Sequence, residues 1–389
     1  MTEQNPARLL LINYEYPPVG GGGGNATQQL GRALTSKGLK VTVLTAAQGN
    51  LPRRENDHGV EIYRIWSARR RRDRCSILEM LIFMAHALFA APGIARQTKA
   101  NAALIFFGVP CGPVGWWLKY KLGLPYIISL QGGDVPGFMG HELSFYHRLS
   151  SPLIKRVWEE AYAVIANSRG LAALAHTYAP DIEVGMIPAG ADLDSFVPRN
   201  KPTPSGPLRL LFVGRLVNQK GLDILFRALA ALGNQEKWAL TIAGGGPLED
   251  TLMDTAQDLD LHDRITFCGW LERSQLSIVY NEADVFVLPS RAEGMPNAML
   301  EAMAASLPVI GSRVAGIEEV VVNHETGLLV PPDDAEALTE ALNTLLQDRD
   351  KAFALGQAAR KRTEDYYSWN VASSAYAELL CGAVGSESL

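Results

Sequence analysis

Cysteine is scarce in this 389-residue chain, and its four copies lie far apart. No two of them form a C-x-x-C pair, which excludes a disulfide framework and a cysteine-based zinc site. Such cysteine usage favours the reducing cytosol. The first apolar run, residues 9–12, is only as long as a strand, so the sequence predicts no signal peptide.

Long hydrophobic runs are also lacking. A transmembrane helix needs about 20 apolar residues, whereas the longest candidate, SILEMLIFMAHALFAAPGIA, is interrupted by Glu79, His86 and Pro92. It follows a basic segment, residues 69–74, of sequence RRRRDR. Two interpretations stay open. The stretch is either a core helix after a solvated basic loop, or a peripheral helix that docks with the basic segment on an anionic membrane surface.

The net charge of −5 hides an asymmetry between the two halves of the chain. Residues 1–190 carry 20 Lys+Arg and 13 Asp+Glu, a net of +7, and the remainder carries 16 and 28, a net of −12. This predicts different partners for the two halves. The basic segment has no interleaved aromatic residues and matches no nucleic-acid-binding module, so no nucleic-acid partner is predicted.

What the chain does contain is an alternation of short apolar runs with helical segments, which predicts parallel sheets covered by helices. RLLLINYEYPP and KVTVLTA are examples from the first half, and LRLLFVGR and DVFVLPS from the second. Residues 198–207, PRNKPTPSGP, have the composition of a linker. We therefore predict an α/β protein with two doubly wound domains, residues 1–197 and 207–366, and a C-terminal helix within 367–389. Ligands should bind in a shared cleft at the carboxyl ends of the strands.

Glycines cluster at two of these strand ends. PPVGGGGGN follows the first strand, and Gly21, Gly22 and Gly23 leave backbone N–H groups open to an anion at a helix N-terminus. IAGGGPLED repeats the arrangement with Gly244 and Gly246. The first loop also fits the dinucleotide pattern G-x-G-x-x-A. However, the second strand ends Leu-Thr-Ala-Ala, without the acidic residue that holds a ribose, so NAD is disfavoured and no cofactor is predicted.

Charged side chains accompany the glycines. FVGRLVNQKG places Arg215 and Lys220 after a strand, where two cations can hold a diphosphate as it leaves. RAEGMPNAMLEAMA places Glu293 before a turn and Glu301 within the following helix. The first carboxylate can accept hydrogen bonds from sugar hydroxyls and the second from a ribose diol. The N–H groups at the start of this helix favour an anion.

Together these motifs resemble one family. PPVGGGGG, FVGRLVNQKG, IAGGGP, ADVFVLPSRAEGMPNAMLEAMA and TGLLVPPDD make the chain similar, over nearly its whole length, to retaining glycosyltransferases of family 4 (glycosyl transferases group 1), with their E-x7-E pair. The resemblance implies the GT-B fold, two Rossmann-like domains with the last helix crossing back onto the first, and a nucleotide-sugar donor held mainly by the second domain. It implies catalytic roles for Arg215 and Lys220 at the diphosphate and for Glu293 at the sugar. The implied donor-binding residues are Gly21, Gly22, Gly23, Gly214, Gly244, Gly246, Met295, Asn297, Ala298 and Glu301.

One position departs from the family pattern, which has His-Gly-x-Asp after a strand of the first domain. Here that segment contains Gln131, Gly132 and Asp134, which the resemblance places on the acceptor or donor-sugar side. Gln131 can hydrogen-bond a sugar hydroxyl but does not titrate near neutral pH. A front-face reaction, in which the leaving phosphate oxygen takes the acceptor proton, does not need a base there. His141, further along, is interpreted as a loop histidine.

Two D-x-D strings, residues 192–194 and 258–260, match the short metal motif of another glycosyltransferase fold. Neither joins a histidine or a further carboxylate at ligand spacing, and D-x-D arises often by chance. We therefore predict no essential metal, because the two cations and the helix N-terminal amides can stabilise the diphosphate in its place.

The resemblance predicts a cytoplasmic or membrane-peripheral retaining glycosyltransferase of polysaccharide or glycolipid assembly. The donor is expected to be a UDP-sugar in preference to GDP-mannose, and the acceptor a glycan or a lipid-linked molecule. Two alternatives stay open. A nucleotide-sugar epimerase on this fold would need a convergent acid/base set, which the motifs do not supply. A non-catalytic nucleotide-sugar-binding protein would keep the donor motifs and lose the acceptor site.

Overall fold

The computed structural model describes residues 7–72, 75–138, 144–198, 206–233 and 237–385. The chain divides into two compact units: the first comprises Met1–Ala189 and Trp369–Leu389, and the second Gly190–Ser368. The first change of unit thus comes before residue 197, the boundary chosen from the sequence. Most of the sequence-based linker and His141 lie outside the described residues.

The strands are short, and several, such as AALIF, AVIA and VFVL, are apolar along their whole length. They are Arg8–Ile12 (β1), Lys40–Gln48 (β2), Arg54–Asp57 (β3), Val60–Arg69 (β4), Ala102–Phe106 (β5), Tyr126–Leu130 (β6), Ala163–Ala166 (β7), Val184–Met186 (β8), Leu208–Val213 (β9), Trp238–Ala243 (β10), Ile265–Gly269 (β11), Val285–Leu288 (β12), Val309–Ser312 (β13) and Gly327–Val330 (β14).

The helices connect these strands and cover the sheets. They are Gly22–Ser36 (α1), Ile77–Thr98 (α2), Gly112–Leu122 (α3), Ser144–Glu159 (α4), Arg169–Tyr178 (α5), Leu222–Leu232 (α6), Glu249–Asp258 (α7), Arg273–Glu282 (α8), Asn297–Ala304 (α9), Ala315–Glu318 (α10), Ala335–Gln347 (α11), Arg349–Tyr366 (α12) and Trp369–Gly385 (α13).

The first unit is built on one sheet with the strand order β3-β4-β2-β1-β5-β6-β7-β8. All its pairings are parallel except that of β3 with β4. The central strands β1, β5 and β6 are almost completely buried, as expected for parallel strands covered on both faces. The strand order reverses at β1, and such switch points create ligand crevices in doubly wound sheets.

The antiparallel β3–β4 hairpin at the sheet edge was not predicted from the sequence. Its turn contains His58 and Gly59, both with positive φ (52° and 89°). In the strand after the turn, Val60, Ile62 and Arg64 are buried at alternate positions. This alternation with a glycine turn is the usual hairpin pattern, but the many charged residues around it obscure the pattern.

The C-terminal helix α13 packs within the first unit, against α1. Lys37, directly after α1, donates hydrogen bonds to Asn370 Oδ1 and Ser374 Oγ, both at 2.9 Å. The buried hydroxyl of Tyr376 lies 2.8 Å from Ser129 Oγ in β6. The helix is therefore an integral part of the first unit although it follows the second in the sequence.

The second unit contains a wholly parallel sheet with the order β11-β10-β9-β12-β13-β14. Because the strands are parallel, the segments that follow β9, β10 and β12 all emerge at one edge. These segments contain most of the donor-binding residues proposed from the sequence. The prediction of two doubly wound parallel-sheet domains is confirmed.

Candidate active site

The segments after β9 and β12 are tied together by hydrogen bonds. Gln219 Nε2 donates to the carbonyl of Ala292 at 2.7 Å, and the N–H of Arg291 donates to the carbonyl of Gln219 at 2.8 Å. The Arg291 guanidinium also binds the carboxylates of Asp223 and Asp333, at 2.7 Å each. The hydrogen bond with Asp223 raises the pKa of Arg291 above its ordinary value. This network holds the segments of Lys220 and Glu293 side by side.

Lys220 and Glu293 form the central ion pair of this edge. Lys220 Nζ donates to Glu293 Oε1 at 2.5 Å, and Ser290 Oγ donates to the same oxygen at 2.6 Å. Both charged side chains are largely excluded from water. A buried carboxylate requires such neutralisation, because an isolated charge in this environment is strongly unfavourable. The sequence predicted separate contacts for the two residues, with diphosphate and with sugar; the structure brings the two side chains into direct contact.

Arg215 lies in the same segment as Lys220 but is exposed, and its side chain forms no ion pair with the residues that the structure describes. The backbone of the segment is fixed by the neighbouring glycine loop, since the N–H of Leu216 donates to the carbonyl of Gly245 at 3.1 Å. The backbone position of Arg215 is therefore fixed, while its exposed guanidinium can bind an anion.

Glu301 occupies a different environment, inside α9. Tyr280 donates its hydroxyl hydrogen bond to Glu301 Oε2 at 3.1 Å or to the carbonyl of Ala298 at 3.0 Å. Arg273 Nη1 lies 3.6 Å from Glu301 Oε1 and bridges to Asp192 at 2.9 Å through Nη2. Burial, followed by the Glu301 charge, raises the pKa of Tyr280 well above its ordinary value, so the phenol remains a donor. Glu301 is thus anchored by the scaffold.

The glycines of this edge are required by close backbone contacts. A Cβ at Gly244, whose φ is +136°, would lie 1.9 Å from the Gly214 carbonyl oxygen. At Gly246 it would lie 2.4 Å from the Leu216 carbonyl oxygen. The second glycine loop therefore packs on the segment of Arg215, and the absence of side chains permits that approach.

The N-terminus of α9 follows Pro296, and this N-cap residue provides no side-chain hydrogen bond. Met295 is buried, whereas Asn297 and Ala298 are partly exposed. The start of α9 packs tightly, because a Cβ at Gly316 would lie 2.0 Å from the Gly294 carbonyl oxygen. The first N–H groups of α9 lie at the same sheet edge as the Lys220–Glu293 pair, in an orientation that favours anions.

The glycine loop of the first unit already holds a carboxylate of the chain. The N–H of Gly21 donates to Glu15 Oε2 at 3.1 Å. A Cβ at Gly20 would lie 2.5 Å from Glu15 Cβ, and one at Gly23 would lie 2.5 Å from the Phe107 ring. The helix α1 begins at Gly22, and its N-cap residue, Gly21, has no side chain to cap it. The group that this loop holds in the structure is thus the Glu15 carboxylate, which the sequence analysis missed.

The residues after β6 have two separate roles. Asp134 accepts hydrogen bonds from the backbone N–H groups of Gly108 (2.7 Å), Gln131 and Gly132 (both 2.9 Å). Burial raises the pKa of this carboxyl above its ordinary value. Both of its oxygens are committed to the backbone, so the structure does not support the proposed sugar contact of Asp134. Gln131 donates through Nε2 to Ser129 Oγ at 2.8 Å, and this bond orients its amide.

Each D-x-D string has contacts within the scaffold, the first through the Asp192 side chain and the second through the N–H of Asp260, which donates to the carbonyl of Gln257 at 3.1 Å. Asp192 is bonded by Ser195 and Arg273. Although burial opposes the charged form, these bonds lower the pKa of Asp192. Asp260 lies just after α7 with a positive φ of 54°. No group of three potential metal ligands occurs among the residues that the structure describes.

Two family models match the chain in succession. The model described as Glycosyl transferase 4-like domain matches residues 21–190, and the one described as Glycosyl transferases group 1 matches residues 195–362. The amylovoran biosynthesis glycosyltransferase AmsK of Erwinia amylovora is 31% identical over 311 residues, 74% of this chain and 73% of AmsK. This protein is a group 1 glycosyltransferase of the family 4 type.

The glycosyltransferase is also similar to a GDP-mannose-dependent α-(1-6)-phosphatidylinositol monomannoside mannosyltransferase of Mycolicibacterium smegmatis. The two are 32% identical over 263 residues, 62% of this chain and 68% of that protein. Among solved structures, sucrose-phosphate synthase from Thermosynechococcus elongatus superposes with a TM-score of 0.85 at 26% identity, over 98% of this chain and 100% of that one. The glycosyltransferase therefore has the predicted GT-B fold.

Several site residues escaped the sequence analysis because their roles depend on distant partners. Ser290 and Arg291 lie within the recognised motif, yet only the folded chain shows their bonds to Glu293 and Asp223. Tyr280 and Arg273 lie in α8, a helix without a family motif. The sequence offered one general guide: a buried carboxylate needs a hydrogen-bond donor, so each buried glutamate implies an unidentified donor nearby.

Proposed function

We propose that this glycosyltransferase moves a sugar, with retention of anomeric configuration, from a nucleotide-diphosphate sugar to a glycan or lipid-linked acceptor in polysaccharide or glycolipid assembly. The observation that supports it most directly is the Lys220–Glu293 pair, which lies beside the exposed Arg215 at the carboxyl edge of a parallel sheet. That edge is the usual ligand-binding edge of such sheets.

The diphosphate is assigned to Arg215, Lys220 and the first N–H groups of α9. Before binding, Lys220 neutralises Glu293. A bound diphosphate shares this lysine, and the hydroxyls of the donor sugar then supply hydrogen bonds to Glu293. The exchange keeps the buried carboxylate satisfied throughout. It also explains why Lys220 and Glu293, which are assigned to different parts of the donor, contact each other when no donor is bound.

The reaction is a front-face substitution. The acceptor oxygen forms a bond to the anomeric carbon, the bond from that carbon to the diphosphate oxygen breaks, and the acceptor proton moves to the leaving phosphate oxygen. The charge that develops on the diphosphate is stabilised by Arg215 and Lys220, which is the usual form of electrostatic catalysis in group transfer. Gln131, oriented by Ser129, contributes hydrogen bonds on the sugar side.

The proposal extends to the nucleotide base and the sugar of the donor. A UDP-sugar is our expected donor, and GDP-mannose is the alternative named by the mycobacterial relative. Glu301 serves either nucleotide, because the carboxylate is assigned to the ribose and not to the base. The protein is expected to act at the cytoplasmic side of the membrane on which such acceptors are assembled.

Thermal-shift measurements with a panel of nucleotide sugars, including UDP-glucose and GDP-mannose, identify the donor. Release of nucleotide diphosphate is then followed with and without lipid extract. Lys220→Ala should release far less nucleotide diphosphate than the wild type. The matched charge-loss control is Lys237→Ala, directly before the N-terminal end of β10, and it should release as much as the wild type.

The two alternatives predict different products in this experiment. An epimerase converts the nucleotide sugar into an isomer and releases no diphosphate. A non-catalytic binding protein shows a thermal shift and no turnover with any acceptor fraction. Either result contradicts the proposed transfer.

A further inference from the structure

Helix α2 of the first unit is apolar on two opposite faces. Its inner face packs into the core through residues at spacings of four, namely Phe83, Ala87, Ala91 and Ala95. Its outer face exposes Leu78 (67%), Leu81 (48%) and Phe89 (88%), with the exposed Ala85 between them. These four residues, here called the α2 stripe, recur every three or four positions and so form one line along the helix.

The α2 stripe is unusual for a helix that faces water. Between Glu79 and Arg96 the helix has no Asp, Glu, Lys or Arg, whereas exposed helix faces are normally polar. By length and composition, α2 could cross a membrane, and 22% of its most apolar 18-residue window is buried. Its inner face belongs to the core, however, so α2 is suited to lie on an apolar surface and not to cross it.

Basic residues flank the stripe. Arg70, Arg71 and Arg72 are exposed before the helix begins, and Arg96 and Lys99 are exposed at its other end. The single acidic residue of α2, Glu79, is committed to Ser76 and to the backbone N–H of Arg70. Asp73 and Arg74 of the basic segment lie outside the described residues.

The neighbouring helix extends this character. Helix α3 packs beside α2 and contains no acidic residue. The Lys121 ammonium lies over the Trp117 ring at 4.6 Å, and Tyr120 of the same helix is exposed. The exposed Trp66 in β4, a strand that also packs against α2, contacts His86 edge to face at 5.1 Å. Aromatic rings with nearby cations are favoured at the boundary between lipid and water.

We propose that the α2 stripe, with the arginines at residues 70–72, docks the protein on an anionic lipid bilayer. The apolar side chains enter the boundary between head groups and acyl chains, and the arginines contact the anionic head groups. A second copy of the chain is a poorer occupant, because an isologous contact through this face would bring the basic residues together without acidic partners. The inference deepens the proposed function and rests on it in one respect: docking assigns the acceptor to the lipid-linked class.

The test measures sedimentation of the full-length protein with vesicles of phosphatidylcholine alone and with about one-third phosphatidylglycerol. The double variant Leu78→Asp/Phe89→Asp should bind anionic vesicles at least about tenfold more weakly, because it removes two inserted side chains. Arg71→Glu/Arg72→Glu should bind about tenfold more weakly at low salt and lose the dependence on phosphatidylglycerol. Met253→Asp, an exposed apolar residue of α7 in the second unit, is the control and should bind like the wild type.

Thermal unfolding of each variant shows whether the fold is retained, and light scattering shows its oligomeric state. The proposal is overturned if the folded wild type does not sediment with anionic vesicles. It is equally overturned if the stripe variants bind as well as Met253→Asp, or if they convert a dimer into a monomer without changing vesicle binding. The thermal shift of the wild type with nucleotide sugar is recorded separately, so loss of docking and loss of the proposed donor binding are distinguishable.

Discussion

Glu293 and Glu301 are the same residue type, lie in one short segment and are almost equally buried, with 9% and 8% of their surface exposed. Their partners nevertheless differ. Glu293 contacts Lys220 and Ser290 at 2.5 and 2.6 Å, whereas Glu301 is approached by Tyr280 at 3.1 Å and by Arg273 at 3.6 Å.

The difference separates a carboxylate that shares its cation with a ligand from one that is anchored by the scaffold. Lys220 holds Glu293, and in the proposed reaction it also holds the diphosphate, so the pair must rearrange when donor binds. Arg273 is itself anchored by Asp192, so the environment of Glu301 can persist. Equal burial therefore does not mean equal function. Mutation of the partner residues can test this difference between the two carboxylates.

Removal of Lys220 should have the largest effect. Lys220→Ala leaves Glu293 buried without its cation, so we expect turnover to fall about a hundredfold and stability to fall by about 2 kcal/mol. Lys220→Met/Glu293→Gln should recover the stability and not the turnover. Denaturant unfolding and steady-state kinetics measure both quantities. Recovery of turnover in the double variant would show that the pair is purely structural.

Arg215→Ala should lower turnover by a similar factor, about a hundredfold, while leaving stability unchanged. The reason is that Arg215 is exposed and holds no carboxylate in the described structure, so its loss strands no buried charge. The contrast between Arg215 and Lys220 in unfolding midpoint, at comparable loss of rate, is the decisive result. Near-wild-type turnover of Arg215→Ala would remove this residue from the proposed diphosphate site.

Glutamine substitutions compare the two carboxylates directly. Glu301→Gln should weaken binding of free nucleoside diphosphate and of intact donor about fivefold to tenfold, because a carboxylate binds hydroxyls more strongly than an amide by roughly 1 kcal/mol or more. Glu293→Gln should leave free-nucleotide affinity nearly unchanged and lower transfer. Calorimetric titration measures both, with Glu340→Gln on the exposed face of α11 as control. Equal losses of nucleotide affinity in the two variants would contradict the division of roles.

Chelation should have the smallest effect. Transfer should continue in the presence of EDTA, since Arg215 and Lys220 are assigned the charge stabilisation that a metal supplies in other enzymes. Activity is measured before and after chelation and again with added magnesium or manganese. Complete loss that is restored by either metal would mean that a carboxylate of this edge, such as Asp192 or Glu293, binds a cation with its donor.

The fold was accessible from the sequence because its signals are local. Apolar runs such as RLLLI and VFVL predict buried parallel strands wherever they occur, and β1 and β12 are such strands. The β3–β4 hairpin was missed, since its alternation is carried by Val60, Ile62 and a buried Arg64. That arginine can be buried because Glu55 in β3 pairs with it at 2.8 Å and the carbonyl of Pro17 accepts a hydrogen bond from it at 3.1 Å. Periodicity cannot show these contacts.

For the site, the sequence predicted the residues but not their contacts. Motif residues such as Lys220 and Glu293 could be named, but not their contact with each other, which joins two segments 73 positions apart. The occupation of the first glycine loop by Glu15 and the commitment of Asp134 to backbone N–H groups likewise depend on tertiary structure. Residue types indicated the chemistry, and the fold determined which groups remain available for it.

The position of α13 in the first unit has a consequence for biosynthesis. Chains fold as they leave the ribosome, usually with the N-terminal domain first. Here the second unit, which ends at Ser368, is complete before α13 emerges. Until α13 emerges, the first unit lacks its last helix. The α1 surface around Lys37 is then uncovered, and Ser129 lacks its contact with the hydroxyl of Tyr376. The domain translated first is therefore the last to be finished, and a chain cut short after Ser368 contains a complete second unit beside a first unit that cannot close its core.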